Sequence, residues 1–519
     1  MQTPEYHSHE EFQNRTKKLH EIKELNIEPY PHKYTPTHNT KELFDLIKES
    51  PIGNSEEAFE GTTPSVTMAG RLILFRAMGK NAFGHIQDDT GKIQIMFNRD
   101  KTTVEEYNPT EADPKPIKFI EKKIDLGDII GVEGNLFRTH KGELTIFAKK
   151  VTLLCKSLLP LPDKHSGLAD KGVRYRKRWL DLITSTESKN IFILRSKIIS
   201  EIRKYFDTAG FLEVETPVLQ NIYGGAQAKP FTTELNALHQ QMFLRISLEI
   251  PLKKLIVGGH DKVFEIGKVF RNEGIDKTHN PEFTELEAYA TYWDYNNMMS
   301  FIENLFEKLA ITFFNDTKII LEDRNVTIDL KAPWIRMTMK DAIKTYGKYD
   351  IDTLTDNQMK DILIKAKFDP DTLKEATRGS LIAHMFEEFA ESSLIQPHHI
   401  IDHPIETTPL CKLHRNPKDK AENLVERFES FILGGEIINA YTELNDPELQ
   451  RQLLVEQSIK KEKGDEEANP LDEEFIEAIC QGMPPTSGMG MGIDRLVMLL
   501  CKASSIKDVI YFPMMKNEE

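Results

Sequence analysis

Residues 263–293 read VFEIGKVFRNEGIDKTHNPEFTELEAYATYW, an order of residue types that predicts a strand, a polar loop and a second strand. The first strand ends near Arg271, the loop contains Asn280 and Pro281, and the second strand begins at Phe283. Because successive side chains of a strand alternate between its faces, one face of the second strand combines rings and acids. They are Phe283, Glu285, Glu287 and Tyr289. This combination beside an arginine favours a functional site over a hairpin with a solvated charged surface.

Residues 434–446, GGEIINAYTELND, show a second alternating pattern. The side chains that share one face are Asn439, Tyr441 and Glu443. Glu429 and Glu436 are seven residues apart, a spacing that two helical turns would bring to one side. Paired carboxylates suit Mg²⁺, which binds a few acids together with phosphate oxygens. A pair of solvated acids on a helix is the alternative.

Residues 487–500, SGMGMGIDRLVMLL, place glycine at every second position before an apolar helix. Gly488, Gly490 and Gly492 would allow a ligand to approach the backbone closely. The first turn of the helix offers free amide groups beside Arg495. The combination predicts a phosphate or nucleotide site, and close packing of the backbone is the alternative.

The predicted domains follow one another along the chain. Residues 1–64 form a helical extension, and residues 65–157 contain five β-rich segments separated by glycines, which is typical of an OB-fold β-barrel. Residues 158–175 begin with a proline-containing, aperiodic run and are the linker. Residues 176–519 mix helices and strands, with a helical insertion at about 340–400. The predicted fold class is α+β.

The composition of the 519 residues indicates a globular protein. The net charge of −15 argues against indiscriminate coating of nucleic acid, but residues 65–155 carry 14 Lys and Arg against 12 Asp and Glu, so a local RNA contact is expected. The four scattered cysteines predict neither a zinc ribbon nor a disulfide framework. No apolar run is long enough for a bilayer and the start lacks signal-peptide features, which predicts a cytoplasmic protein without a membrane partner.

Three segments resemble the signature motifs of class II aminoacyl-tRNA synthetases. FLEVETP, which alternates like a strand and ends at Pro217, resembles motif 1; FRNE around Arg271 with the loop to HNPEF resembles motif 2; GMGMGIDRL resembles motif 3. All three occur in the expected order, and the class I signatures HIGH and KMSKS are absent. Within class II, GGAQAKPF, FLRISLE and AYTELND are similar to the lysine-specific enzymes of the compact bacterial type, and the likeness covers residues 17–512.

The resemblance implies an antiparallel catalytic sheet flanked by helices and a reaction in two steps. Lysine attacks the α-phosphate of ATP to give lysyl-adenylate, and the tRNA 3′ hydroxyl then takes the lysyl group. Arg271 and Arg495 are the implied catalytic residues, and Phe283 would stack on adenine, sandwiched with Arg495. The residues implied for ATP are Arg271, Glu273, His279, Asn280, Phe283, Glu429 and Arg495. Glu429 and Glu436 would hold Mg²⁺, with about three ions per subunit implied.

The resemblance also implies a pocket for lysine. An ammonium on a long apolar stem needs an anionic end wall, and Glu443 with Tyr289 would provide it. The full implied set is Gly224, Glu249, Arg271, Glu287, Tyr289, Asn439, Tyr441 and Glu443. Pro251 departs from the family pattern because it interrupts a segment that is usually helical, which puts the local helix geometry after Glu249 in question.

In the barrel, the resemblance implies that Phe83 stacks on an anticodon base while Arg76, Gln94 and Glu143 contact base edges. A core position for Phe83 is the alternative. The implied partners are ATP, L-lysine, tRNA-Lys and a second copy of the chain, with Pro217 at the homodimer interface. No DNA partner is implied.

Three other functions compete with lysine activation as interpretations of the sequence. An aspartate or asparagine enzyme of the same class would need a cationic pocket, whereas Glu249, Glu287 and Glu443 are acidic. A truncated paralogue that lysylates a protein normally lacks the anticodon barrel. A non-catalytic RNA-binding paralogue is disfavoured because Arg271 and Arg495 are both present.

Overall fold

The computed structural model describes residues 4–49, 52–110, 113–162, 168 and 170–517. The chain divides into two compact units between Gly167 and Leu168. This division lies inside the predicted linker 158–175, of which residues 163–167 and 169 lie outside the described part. The end of the linker segment is helical from Lys171 onward.

The first unit is a closed β-barrel accompanied by helices. Its strands are β1 Ser65–Met78, β2 Asn81–Gln87, β3 Lys92–Asn98, β4 Thr103–Val104, β5 Ile129–Arg138 and β6 Leu144–Cys155. Its helices are α1 Glu10–Glu24, α2 Thr40–Glu49, α3 Ser55–Glu60 and α4 Pro116–Lys123. The order β3-β2-β1-β5-β6 closes through a parallel pairing of β3 with β6, and the two-residue β4 adds to β6. The predicted five-stranded OB-fold is confirmed.

The barrel core follows from the alternation of apolar residues in its strands. In β2 the buried side is Ala82, Gly84 and Ile86, and the intervening residues are only half-buried. The same alternation runs through β3, where Ile93, Ile95 and Phe97 join the core cluster. Phe83 therefore lies on the outer face of β2, and the alternative of a core phenylalanine is wrong.

Among the described residues, the second unit contains a main sheet of eight strands, a three-stranded sheet of β8, β10 and β9, and a two-stranded sheet of β13 and β14. Its strands are β7 Leu212–Glu213, β8 Leu219–Gln220, β9 Thr232–Leu235, β10 Gln240–Leu244, β11 Lys262–Phe270, β12 Glu282–Thr291, β13 Lys318–Leu321, β14 Val326–Asp329, β15 Ile335–Thr338, β16 His398–Pro404, β17 Leu424–Ile432, β18 Gly435–Thr442 and β19 Thr486–Gly492. The main sheet has the order β15-β16-β17-β18-β19-β12-β11-β7. It is antiparallel except for β15 with β16 and β7 with β11, which confirms the predicted α+β class.

Helices cover this sheet and extend beyond it. They are α5 Lys171–Arg176, α6 Arg178–Thr184, α7 Thr186–Thr208, α8 Glu249–Val257, α9 Tyr295–Phe314, α10 Met339–Ala342, α11 Asp356–Lys365, α12 Pro370–Lys374, α13 Arg378–Phe389, α14 Pro417–Ala421, α15 Pro447–Glu462, α16 Glu473–Cys480, α17 Ile493–Leu500 and α18 Ile506–Val509. Helices α10 to α13 occupy the range of the predicted insertion, and their core cluster also includes Ile400 of β16 and Phe431 of β17.

The main core lies on one face of the sheet. Leu286 and Ala288 of β12 pack with residues of α7 and α9, as the period-two pattern predicts. In α7, Ile198, Ile202 and Phe206 are buried at the spacing of one helical turn. Because this face is covered, the opposite face of the sheet is available for a site.

Three local predictions need correction or are resolved. Glu429 and Glu436 do not share a helix: they lie on β17 and β18, because Leu433 and Gly434 both adopt positive φ and form a two-residue hairpin turn. In this turn, the glycine supplies the conformation and the leucine tolerates it.

The FLEVETP strand is shorter than predicted, and the helix after Glu249 is intact. Only Leu212–Glu213 is a strand, because Thr216 donates its backbone N–H and hydroxyl to the side-chain carboxylate of Glu265 and not to the backbone of β11. Pro251 lies in the first turn of α8, where its missing N–H breaks no helical hydrogen bond.

Candidate active site

A strand with glycine at every second position forms the floor of the site. Strand β19 lies between β12 and β18, and Gly488 is in register with Tyr289 on one side and Tyr441 on the other. The next row repeats the arrangement with Glu287, Gly490 and Asn439. Because glycine fills every second position of β19, the side chains of the flanking strands border an open groove.

This groove is part of a cavity of about 360 Å³. Thirteen of the residues implied by the resemblance line it: Glu249, Arg271, Glu273, His279, Asn280, Phe283, Glu287, Tyr289, Glu429, Glu436, Asn439, Tyr441 and Arg495. Two do not. Gly224 lies next to the lining residue Gly225 and accepts a hydrogen bond from Ser247 through its carbonyl. Glu443 is fully buried beside Gly488 rather than in the lining.

Two guanidinium groups occupy one end of the cavity. The Arg271 guanidinium lies 5.1 Å from the centre of the Phe283 ring. Arg495 donates to the Glu436 carbonyl at 2.6 Å and its other nitrogen lies 3.0 Å from His279 Nε2. Arg271 is thus the arginine beside Phe283 in this structure, and an adenine ring held between Phe283 and Arg495 stays a prediction. Cations and an aromatic ring at one end suit a nucleotide.

Buried acids occupy the adjoining part. Burial raises the pKa of Glu285, which lies 3.8 Å from the nearest Arg271 nitrogen. Burial and then the neighbouring Glu285 raise the pKa of Glu287 well above its usual value. Glu287 accepts hydrogen bonds from the Tyr289 hydroxyl at 2.8 Å and the Leu248 N–H at 2.7 Å. Such a wall is stabilised by an incoming cation.

Glu249 and Glu443 lie deeper in the same wall and share a partner that the sequence analysis missed. The ammonium of Lys253 forms ion pairs with both carboxylates. Tyr441 donates its hydroxyl to the other oxygen of Glu249 at 2.7 Å. The sequence signal was available, because Lys253 follows Glu249 by one helical turn.

Glu429 of β17 and Glu436 of β18 both line the cavity, although Glu429 lies opposite Asn439 and Glu436 lies opposite Phe431 in the register of the hairpin. Glu429 is ion-paired with Arg427 at 2.6 Å. Burial and the charge of Glu429 raise the pKa of Glu436. Within the described residues, no group of three or more His, Cys, Asp or Glu side chains is arranged to hold a metal ion. The two carboxylates nevertheless fit Mg²⁺, since a cation between them would offset their repulsion and phosphate oxygens and water complete its usual ligands.

The outer face of the barrel brings the predicted RNA-contacting residues together. Phe83 is in register with Arg76 of β1 and Met96 of β3. Gln94 donates to the Glu143 carboxylate at 2.8 Å, and His85 Nε2 lies 3.0 Å from the other oxygen of Glu143. His85 was missed, although its position two residues after Phe83 places it on the same face.

Pro217 lies in an exposed apolar segment. Its neighbours Val218 and Leu219 are 38% and 46% exposed, and Leu212 is 49% exposed.

In the described part of the chain, no helix combines the length and apolar character needed to span a bilayer.

Known proteins match both units of the chain. Residues 170–516 match the family described as tRNA synthetases class II (D, K and N), and residues 66–154 match the OB-fold nucleic acid binding domain. The chain is 56% identical to the lysine–tRNA ligase of Chlamydia pneumoniae, an alignment covering 99% of this chain and 98% of that relative. It is 44% identical to the lysine–tRNA ligase of Staphylococcus epidermidis, over 98% and 99%.

The fold, the cavity and the two family matches define a class II tRNA synthetase with an OB-fold domain. It is a ligase that forms aminoacyl-tRNA. Its full-length similarity to the curated relatives places it further: the chain belongs to the lysine–tRNA ligases.

Proposed function

We propose that L-lysine is activated with ATP in this cavity and that the lysyl group is then transferred to the 3′ end of tRNA-Lys. The residues at the two ends of the cavity bind the two small substrates. The observation that carries the proposal is that two arginines and a wall of buried acids line adjoining parts of one cavity, beside the same glycine-rich strand. A substrate with a carboxylate, two ammonium groups and a neighbouring triphosphate matches this division of charge.

The nucleotide end positions the α-phosphate. Arg271 holds the lysine carboxylate and the α-phosphate, and Arg495 with His279 holds the distal phosphates. Phe283 supports the adenine ring, whose edge faces Glu273 and Asn280. Because these donors are fixed before the reaction, they stabilise the charge that develops on the phosphate without reorganisation.

Glu429 and Glu436 would hold Mg²⁺ at this end. Magnesium supplies charge neutralisation for the phosphate oxygens and for the pyrophosphate leaving group. The protein's contribution is to hold the two carboxylates at the cavity on one hairpin, with Arg427 ion-paired to Glu429.

The acidic end selects lysine. Glu249 and the Gly224–Gly225 backbone take the α-ammonium, Asn439 contacts the carboxylate, and Tyr289, Tyr441 and Glu287 border the side chain. Glu443 takes the ε-ammonium. Although Glu443 is not in the cavity lining, one of its oxygens lacks a hydrogen-bond partner among the described residues and lies next to Gly488.

The test is ATP–pyrophosphate exchange without tRNA, measured with each of the twenty amino acids. We expect exchange with lysine to exceed that with any uncharged amino acid by at least about 10³-fold, because an uncharged ligand leaves buried acids unpaired. Preferential exchange with aspartate or asparagine would refute the proposal.

The barrel face is proposed to bind the anticodon, with Phe83 stacking on a base and Arg76, Gln94 and Glu143 contacting base edges. The exposed apolar segment around Pro217 is proposed to lie in a homodimer interface, since the exposed Leu212, Val218 and Leu219 would be buried there. The cytoplasm, where ATP and tRNA are available, is the proposed place of action.

Replacing Phe83 with alanine should raise the KM for tRNA-Lys roughly 5- to 150-fold, because stacking on one base contributes about 1–3 kcal/mol. Pyrophosphate exchange with lysine should not change. Met78→Ala, which removes an exposed apolar side chain near the end of the same hairpin, is the matched control. Equal losses in exchange and aminoacylation would indicate a folding defect instead of an RNA contact.

A further inference from the structure

Lys253 is a buried cation behind the wall of the proposed lysine pocket. None of its surface is exposed, and its ammonium is ion-paired with both Glu249 and Glu443. Glu249 lines the cavity, whereas Lys253 does not. The side chain therefore acts on the pocket through the carboxylates it contacts.

The surroundings of Lys253 fix how these carboxylates are oriented. Its ammonium lies 5.5 Å from the centre of the Tyr441 ring and 5.9 Å from that of Phe475. Tyr441 donates to the Glu249 oxygen that Lys253 leaves free. One oxygen of Glu443 is directed to Lys253, and the other lies beside Gly488 on the floor of the groove.

The charge of this cluster matches one substrate ammonium. Two carboxylates and one ammonium carry one net negative charge, which balances the one net positive charge of a bound lysine, whose two ammonium groups are offset by one carboxylate. Without Lys253, two carboxylates would face each other in a site removed from water, and one of them would take up a proton.

We propose that Lys253 is the positioning residue that sets the charge of the lysine pocket by favouring the ionised form of Glu443 and by orienting the carboxylates of Glu249 and Glu443 for bound lysine. The inference rests on the proposed lysine site and adds a determinant of specificity to it. Lys253 does not touch the substrate in this scheme.

The pKa of Glu443 shows in which direction the loss of Lys253 should change the pH dependence of lysine binding. Burial raises the pKa of Glu443 to about 8, Lys253 is the strongest influence that lowers it, and Glu249 raises it. The other titratable groups whose charges interact with Glu249 or Glu443 are Glu285, Glu287, Tyr289, Cys411 and Tyr441. Removing Lys253 therefore raises the pKa of Glu443. Since the ionised form binds ammonium, use of lysine should fall at neutral pH and recover as the pH increases.

The experiment measures kcat/KM for lysine in pyrophosphate exchange across the neutral and alkaline range for Lys253→Met. We expect the rising limb of the profile to move upward by about 1–3 pH units, the effect of losing a close opposite charge. The KM for ATP should be unchanged. Lys254→Met is the matched control, because Lys254 is ion-paired with the exposed Glu474 at the surface, and its profile should equal that of the unaltered protein.

If Lys253 had only a structural role, Lys253→Met would lower kcat/KM for lysine without shifting the rising part of the pH profile. That result overturns the inference. The double variant Lys253→Met, Glu249→Gln removes one acid together with the cation and keeps one negative charge, so it tests the idea if the single variant does not fold. The rising part of its pH profile should return toward that of the unaltered protein. If the rise stays displaced as in Lys253→Met, the inference is overturned. Absence of lysine-dependent exchange in the unaltered protein would instead refute the proposed function.

Discussion

Replacing Glu443 with glutamine is expected to reduce kcat/KM for lysine in pyrophosphate exchange by about 10²- to 10³-fold, because truncating a buried charge pair costs about 2–5 kcal/mol or more. The amide keeps the size of the side chain but presents no charge to the ε-ammonium. It also leaves the buried Lys253 with Glu249 as its single acidic ion-pair partner within the described residues.

The loss should be confined to lysine. Binding of ATP, measured by equilibrium dialysis without lysine, should remain unchanged because Arg271, Phe283 and Arg495 lie at the other end of the cavity. The matched control is Glu448→Gln, which makes the same change at an exposed acid in the first turn of α15. Lysine-dependent exchange near the unaltered level in Glu443→Gln would show that another group binds the ε-ammonium.

The fold was predictable where local pattern and tertiary structure agree. The alternation in residues 263–293 gave the β11–β12 hairpin and its two faces, and the glycines between β-rich segments gave the barrel. The prediction failed for Glu429 and Glu436, because a seven-residue spacing fits two helical turns as well as two strands joined by a tight turn. The positive φ of Leu433, which decides between them, has no signal in a leucine.

The site was predictable as a set of residues but not as a set of contacts. The motifs brought thirteen residues to one cavity. Which arginine lies over Phe283 could not be read from the sequence, because Arg271 and Arg495 come from different elements and both reach the same region. Lys253 was overlooked because a lysine beside acids on a helix usually forms a solvated surface pair, and its burial depends on α16 and β18.

A single methyl group at Gly488 should be as harmful as loss of a charge. The Cβ of an alanine there would overlap both the Tyr289 ring and the Glu443 carboxylate. Tyr289 is buried and belongs to the core cluster formed with α8 and α16, so it has little room to move. We expect Gly488→Ala to lower kcat/KM for lysine by about 10²-fold or more, since displacement of a positioning group by about 1 Å can have that effect.

Gly492→Ala is the control in the same strand and on the same face. A Cβ at Gly492 would meet only the side chain of Arg495, at 3.7 Å, which is ordinary contact. Lysine use by this variant should stay within a few-fold of the unaltered protein, whereas Gly488→Ala should fail in lysine-dependent exchange while retaining ATP binding and its melting temperature within a few degrees. Equal kinetics in the two variants would mean that the lysine side chain does not pass over Gly488, and the ε-ammonium would have to be bound elsewhere in the cavity.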